Sequence, residues 1–199
     1  MYKNIIFDFG GVVVQFNPKD FLMDHFMNKR AEEIVYELTF GSQEWQDLDR
    51  GTITREEGNA AMLENAARVN RVFEVQTVID EWPTILRTKE STVHTMQKLK
   101  AAGYRLYYLT NIPADIMDEL RQREWFSLFD GGVASCEVHL CKPEPAIYTT
   151  LMQTCNLIDN EVPHAQGAAG IGIVRSESAI LCEQSEQTQT SCLKEYLRS

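Results

Sequence analysis

The chain has 199 residues, 44% of them hydrophobic and 24% charged, an ordinary globular composition that excludes a disordered tail and suffices for one sizeable core. Twenty-nine acidic against nineteen basic residues leave a formal net charge of −10, which repels a phosphate backbone and argues against a nucleic-acid partner. An anionic small ligand would need local help from a lysine, a metal ion or backbone N–H groups.

No run approaches the roughly 18 apolar residues of a membrane span, so no membrane partner is expected. The first 14 residues resemble an export signal superficially, but Asp8 interrupts the apolar run and no small-residue cleavage site closes it. They read instead as a buried strand, IIFDFGGVVV, that ends in a loop at Asp8. Cys136, Cys141, Cys155, Cys182 and Cys192 lack the spacing of a zinc or redox motif, and with no export signal they point to a reducing cytoplasm. From Asn17 to about Leu86 apolar positions recur at helical spacing, as in Phe21, Leu22 and Phe26, then Ile34, Val35 and Leu38. Gly51 marks a turn, and Thr52 or Thr54 caps a further helix with Glu56 and Glu57 in its first turn. Beyond Trp82-Pro83 the rhythm alternates. The pattern predicts a helix over 91–102 stopped by Gly103, a strand over 104–109 ending at Thr110-Asn111, and a helix over 114–123. A short strand or turn over 132–135, a helix over 145–154 and a last apolar strand over 171–174 follow.

One strand, a helical stretch and then alternating elements predict an α/β fold: a Rossmann-like parallel sheet core, residues 1–14 plus 86–199, with an inserted helical cap over 15–85. In such sheets ligands bind beyond the carboxyl ends of the strands, where residues ending separate strands converge. Asp8 ends the first strand and is followed by Gly10 and Gly11, whose bare backbone could approach an anion. Thr110 ends the second, with Asn111 beside it. Lys142 sits in CKPEP, stiffened by Pro143 and Pro145 ahead of a helix start. A carboxylate nucleophile, a hydroxyl and a lysine on neighbouring strand ends make a covalent phosphoryl-transfer site. Trp45, Trp82 and Trp125 read as packing, although a cap aromatic could face the substrate.

The DFGGVVV start, the LTN at Leu109–Asn111 and SCEVHLCKPEPAIY ending at Tyr148 resemble motifs I, II and III of the haloacid dehalogenase superfamily. The helical insert resembles the cap of its subfamily I, and WQDLDRGTITREE is similar to a stretch common in those caps. The resemblance implies Asp8 as nucleophile, Lys142 as catalytic counter-charge, and Thr110, Asn111, Gly10 and Gly11 as phosphate binders. It also implies Mg²⁺ held by Asp8 and the Gly10 carbonyl, and a small phosphorylated metabolite as substrate.

Two departures stand out. Most phosphatases of this superfamily carry a second Asp two positions after the nucleophile, where this chain has Gly10. Without that proton donor, esters with acidic leaving groups, such as sugar 1-phosphates, are favoured. The fourth motif, an apolar strand followed by two acids, is not evident either. Asp159 in LIDN is the nearby candidate metal ligand, but a loop, helix and strand between Lys142 and Asp159 would be cramped. The rival reading leaves the metal-site strand absent. Two alternatives therefore stand beside the phosphatase: a metal-independent 2-haloacid dehalogenase, and a catalytically impaired binding protein.

Overall fold

The computed structural model describes residues 4–157 and the backbone of 179–182. At its centre is a wholly parallel sheet in the order β3-β2-β1-β4, built from β1 (Asn4–Phe7), β2 (Arg105–Thr110), β3 (Gly131–Ala134) and β4 (Ala179–Cys182). Alternation along each strand divides two cores. Ile5, Phe7, Leu106 and Tyr108 face one side, while Ile6, Tyr107, Leu109 and Val133 face the other with Ile147 and Leu151. Because both faces are covered, β1 and β2 read as continuous apolar runs.

The predicted strand over 171–174 lies outside the described residues, and so does Asp159. β4 comes later in the chain and pairs with β1 from Asn4↔Ala179 to Phe7↔Cys182. It covers the side of β1 opposite β2. Four apolar letters in a polar tail carry no periodic signal, which is why pattern alone misses it.

Five helices separate β1 from the rest of the sheet: α1 (Pro18–Phe26), α2 (Lys29–Leu38), α3 (Gln43–Arg50), α4 (Arg55–Arg68) and α5 (Val72–Glu81). The side chains of Asn17, Asn28, Ser42 and Thr54 each accept a backbone N–H at the start of the first four. Of the two predicted cap residues, Thr54 is the one used, in a reciprocal capping box with Glu57. Inside this segment Phe40 and Trp45 lie 4.7 Å apart between ring centroids, and Trp45 and Trp82 meet edge to face at 4.9 Å. Chain entry and exit run side by side, since the Gln15 N–H donates to the Arg87 carbonyl and the Lys89 N–H to that of Val13, both at 2.8 Å. Then come α6 (Glu90–Ala101), α7 (Ala114–Arg121), the single turn α8 (Ser135–Val138) and α9 (Pro145–Thr154). The helices predicted over 91–102, 114–123 and 145–154 match these within two residues.

The β2–β3 pair is tight at one point. A Cβ on Gly132 would sit 2.4 Å from Cγ of Tyr108 and 2.5 Å from its carbonyl oxygen, and backbone cannot yield as a flexible side chain does. Gly132→Ala is therefore expected to destabilise the fold by about 1–3 kcal/mol, the usual range for overpacking, read as a lower urea midpoint with an unchanged slope.

Candidate active site

The register brings the site together. Phe7 is level with Tyr108 on one side and Cys182 on the other, so Asp8 leaves β1 at the edge where β2 ends in Thr110. After Asp8 the chain folds back sharply: the N–H groups of Val12, Val13 and Val14 all converge on the Phe9 carbonyl, at 2.9 to 3.1 Å. Gly11 adopts the left-handed conformation (φ 72°) that this turn requires. Its N–H donates to the Val14 carbonyl at 2.8 Å. The expectation that Gly11 offers its N–H to a phosphate is thus corrected, because the turn itself consumes that donor. At Gly10 a Cβ would meet only ordinary contact with the Phe16 ring, at 3.6 Å. Glycine there is not demanded by space; its effect is to leave this position without a carboxylate.

Lys142 Nζ lies 2.8 Å from Asp8 Oδ2, and the two side chains are only 12% and 16% exposed, so salt screens this pair weakly. The other oxygen, Asp8 Oδ1, accepts the Phe9 N–H at 2.8 Å. Lys142 stands on a loop rather than a strand, and Asn111 holds that loop. The Asn111 amide donates to the Lys142 carbonyl at 3.0 Å and accepts the Lys142 N–H at 2.8 Å. Asn111 thus has a positioning role that the sequence reading does not assign to it: both ends of its amide grip the lysine's backbone, while the residue also lines the adjoining pocket. Thr110 is almost wholly buried at the end of β2, its hydroxyl 3.5 Å from the Asn111 carbonyl, a weak contact that leaves it capable of binding a ligand.

A pocket opens beside this pair, reached by Phe9 and Gly10 after β1 and by Thr110 and Asn111 at the end of β2. Phe9, Phe16, Trp45, Trp82, Ile112 and Ile116 make most of its wall. Its polar side chains are Thr110, Asn111 and Asp49. Of the three tryptophans, Trp45 and Trp82 face this space, and Trp125 packs on Phe9 with ring centroids 5.5 Å apart.

Asp49, near the end of α3, is the functional candidate that the sequence reading does not single out. Two α3 residues are bolted to the chain after β3. Ser135 Oγ donates to the Asp49 carbonyl and accepts the Ile112 N–H, the latter at 2.9 Å. Arg50 donates to the His139 carbonyl at 3.0 Å and pairs with Glu144 at 2.6 Å, while His139 Nδ1 donates to the Arg50 carbonyl at 2.9 Å. Glu144 is held below its usual carboxylate range by that Arg50 bond. The next residue, Gly51, takes φ +70°, and a Cβ there would fall 2.4 Å from the Cys136 carbonyl. On the other side of the cavity Arg55 makes a two-bond pair with Asp115 at 2.9 and 3.0 Å and lies over the Trp45 and Trp82 rings.

Burial pushes the Asp49 carboxyl up to about 7; the Arg55 and Lys142 charges oppose this and the Asp8 charge reinforces it. Burial likewise raises the thiols of Cys136 and Cys155 to about 11, which makes them poor nucleophiles. For a metal, Asp8 and the Gly10 carbonyl are oxygen donors of the type that Mg²⁺ prefers. Among the described residues, however, no group of three or more His, Cys, Asp or Glu side chains is placed to hold an ion. The described residues alone therefore do not complete a magnesium site.

Two outcomes follow from this geometry. Asn111→Ala removes both bonds to the Lys142 backbone and should lower stability by about 1–3 kcal/mol, with the Asp8–Lys142 pair loosened in a crystal structure of the variant. Asp49 binds its proton more tightly folded than unfolded, so its contribution to stability is fullest below about pH 4 and is lost as pH rises towards 7. Asp49→Asn should accordingly raise the melting temperature at pH 8 and change it little at pH 5, measured by calorimetry.

The comparisons with known proteins converge. A family model described as haloacid dehalogenase-like hydrolase matches residues 2–164. The sesquiterpene phosphatase astK of Aspergillus oryzae is 25% identical over 187 residues, covering 87% of this chain and 88% of its own length. A HAD family enzyme of Bacteroides thetaiotaomicron superposes with a TM-score of 0.62 at 17% identity, covering 98% of this chain and 89% of that one. A second structure of that enzyme, in complex with magnesium and inorganic phosphate, gives 0.60 at 18% identity over 78% and 80%. At these identities the structural likenesses speak for the fold.

Proposed function

The chain belongs to the haloacid dehalogenase-like hydrolases, and from that membership we propose a phosphatase that acts on a small monoester with an apolar organic group. The observation that carries this reading is the Asp8–Lys142 pair, whose neighbours Phe9, Gly10 and Asn111 line a pocket walled by Phe16, Trp45, Trp82, Ile112 and Ile116. Asp8 attacks phosphorus, forming an aspartyl phosphate that water then hydrolyses. Lys142 offsets the charge of the phosphate oxygens, and the Thr110 hydroxyl donates to one of them. Asn111 keeps Lys142 in place. A sugar phosphate, expected from the sequence, would turn its hydroxyls towards a wall with few partners for them, at the cost of lost hydration. A prenyl or terpenyl monophosphate fits the wall better, in line with the name of the Aspergillus relative. The helices α1–α5 act in this reading as the cap domain over 15–85, with the remainder as core.

Mg²⁺ is the proposed cofactor, as its presence in the Bacteroides enzyme's complex suggests. When bound, it would neutralise charge on the phosphate, and Asp8 and the Gly10 carbonyl are the donors offered by the described chain. In the sequence Glu183 directly follows β4, so it is tested beside Asp159 as a further oxygen donor.

Turnover of p-nitrophenyl phosphate, a C10–C15 prenyl monophosphate and glucose 1-phosphate decides the matter. The prenyl ester should show the highest kcat/KM. Asp8→Asn should abolish turnover, and Lys142→Ala should lower kcat by about 10²- to 10³-fold, as for other preorganised charge-stabilising groups. EDTA should suppress activity, and Glu183→Gln or Asp159→Asn should raise the Mg²⁺ concentration needed to restore it. Undiminished turnover by Asp8→Asn would sink the mechanism. Halide release from a 2-haloacid in EDTA, with no phosphatase activity, would favour dehalogenation instead.

A further inference from the structure

An apolar alcohol is a poor leaving group, and the position after Phe9 where related phosphatases keep a proton donor is Gly10 in this chain. On the phosphatase reading just given, the missing proton must come from elsewhere. The cavity wall holds three polar side chains. The amide of Asn111 and the hydroxyl of Thr110 are both too weak as acids to supply a proton. The third is Asp49. No hydrogen bond to its carboxyl oxygens occurs among the described residues, although its own backbone carbonyl is pinned by Ser135. Its side chain is thus a carboxyl set among apolar groups, held from behind by the Ser135 junction, lining the same pocket as Phe9, Gly10 and Thr110 and near enough to Asp8 to feel its charge.

We propose that Asp49, supplied by α3 from the five-helix segment, is the general acid and base of the reaction, in place of the absent residue at Gly10. In the first half, a carboxylate oxygen of Asp8 attacks phosphorus and the bond from phosphorus to the ester oxygen breaks. Its electron pair stays on the ester oxygen, which takes the Asp49 proton and leaves as the neutral alcohol. In the second half, water attacks phosphorus and gives a proton to the Asp49 carboxylate. The bond between phosphorus and the Asp8 oxygen breaks, the pair returns to Asp8, and inorganic phosphate is released. Both carboxyl groups end as they began.

The charges around Asp49 suit this cycle. Asp8 after β1, Lys142 on its loop and Arg55 at the start of α4 are the charges that act on it, and burial keeps it protonated near neutrality before the ester is cleaved. Once the alcohol has left, Arg55 and Lys142 are the positive groups that stabilise its carboxylate. An acid on the five-helix segment also ties chemistry to that segment's seat on the sheet, through Arg50, His139, Glu144 and the close approach of Gly51 to Cys136.

The test uses leaving groups. In Asp49→Asn, turnover of a prenyl or octyl monophosphate should fall by about 10²- to 10⁴-fold. Rapid mixing with p-nitrophenyl phosphate, whose leaving group needs no proton, should still give a fast burst of about one equivalent of p-nitrophenolate, followed by slow turnover as aspartyl phosphate accumulates. The alkaline limb of kcat/KM for alkyl esters should vanish in the variant. In the unaltered protein, kcat/KM across aryl and alkyl esters should depend weakly on leaving-group acidity. A steep dependence there, or a p-nitrophenolate burst slowed in the variant as much as alkyl-ester cleavage, would overturn the role of Asp49. Absence of phosphatase activity in the unaltered protein would count against the phosphatase reading itself, a different result.

Discussion

The counter-charge in this site comes from a loop, and loops do not hold a side chain at 2.8 Å from a partner without help. The help is Asn111, whose amide makes one bond to each side of the Lys142 peptide backbone. Because Asn111 directly follows β2, and β2 is in register with β1, the positions of Asp8 and Lys142 are both referred to the same parallel sheet. A lysine positioned through its backbone loses less entropy on pairing than one held only by its long side chain. The pair is also largely removed from water, which leaves its charges available to act on a ligand across the cavity.

A second constraint links the five helices to that sheet. A helical layer placed over a site contributes chemistry only if its position is reproducible to a fraction of a hydrogen bond, and α3 meets this condition at its last turn. Ser135 bridges the Asp49 carbonyl and the Ile112 N–H, so a residue of the helical segment and one of the segment after β2 share a single hydroxyl. Arg50 and His139 exchange bonds with each other's backbone carbonyls. Gly51 lets this turn approach the Cys136 carbonyl more closely than any residue with a Cβ could. The exposed bonds of this junction are individually modest, but together they fix one orientation.

Much of this was legible in the letters. Asp8 and Thr110 are legible because each ends an apolar run and strand ends in parallel sheets converge, and Lys142 because it sits in a loop stiffened by Pro143 and Pro145. Thr54 and Glu57 announced α4 through a capping box that is purely local. What stayed hidden was relational. Gly11 looked like an open anion site because its N–H bond partner, Val14, is set by the turn geometry and not by composition. Asn111 looked like a phosphate ligand because its link to Lys142 spans 31 residues. Asp49 sits in a stretch similar to those of related caps, but among seven acidic and basic residues in 43–57 nothing local marks the one that turns inward. β4 was lost because four apolar residues far along a polar tail have no period to detect.

The −10 charge of the chain takes on a specific meaning at the cavity. A phosphate dianion arriving beside Asp8 would meet two carboxylates if Asp49 were ionised, and Lys142 alone would oppose them. With Asp49 protonated by its apolar surroundings, the Asp8–Lys142 pair is balanced, as is the Arg55–Asp115 pair near it. The apolar wall therefore acts on both ends of the ligand. On the proposed reading it accommodates the apolar organic group, and by desolvating a carboxyl it also reduces the negative charge that a phosphate would have to approach. A wall rich in hydroxyls and amides would hydrate Asp49, lower its affinity for the proton and restore the repulsion. On this argument, preference for an apolar substrate and tolerance of an anionic one share a physical origin in Phe16, Trp45 and Trp82, and polar replacements there would weaken both together.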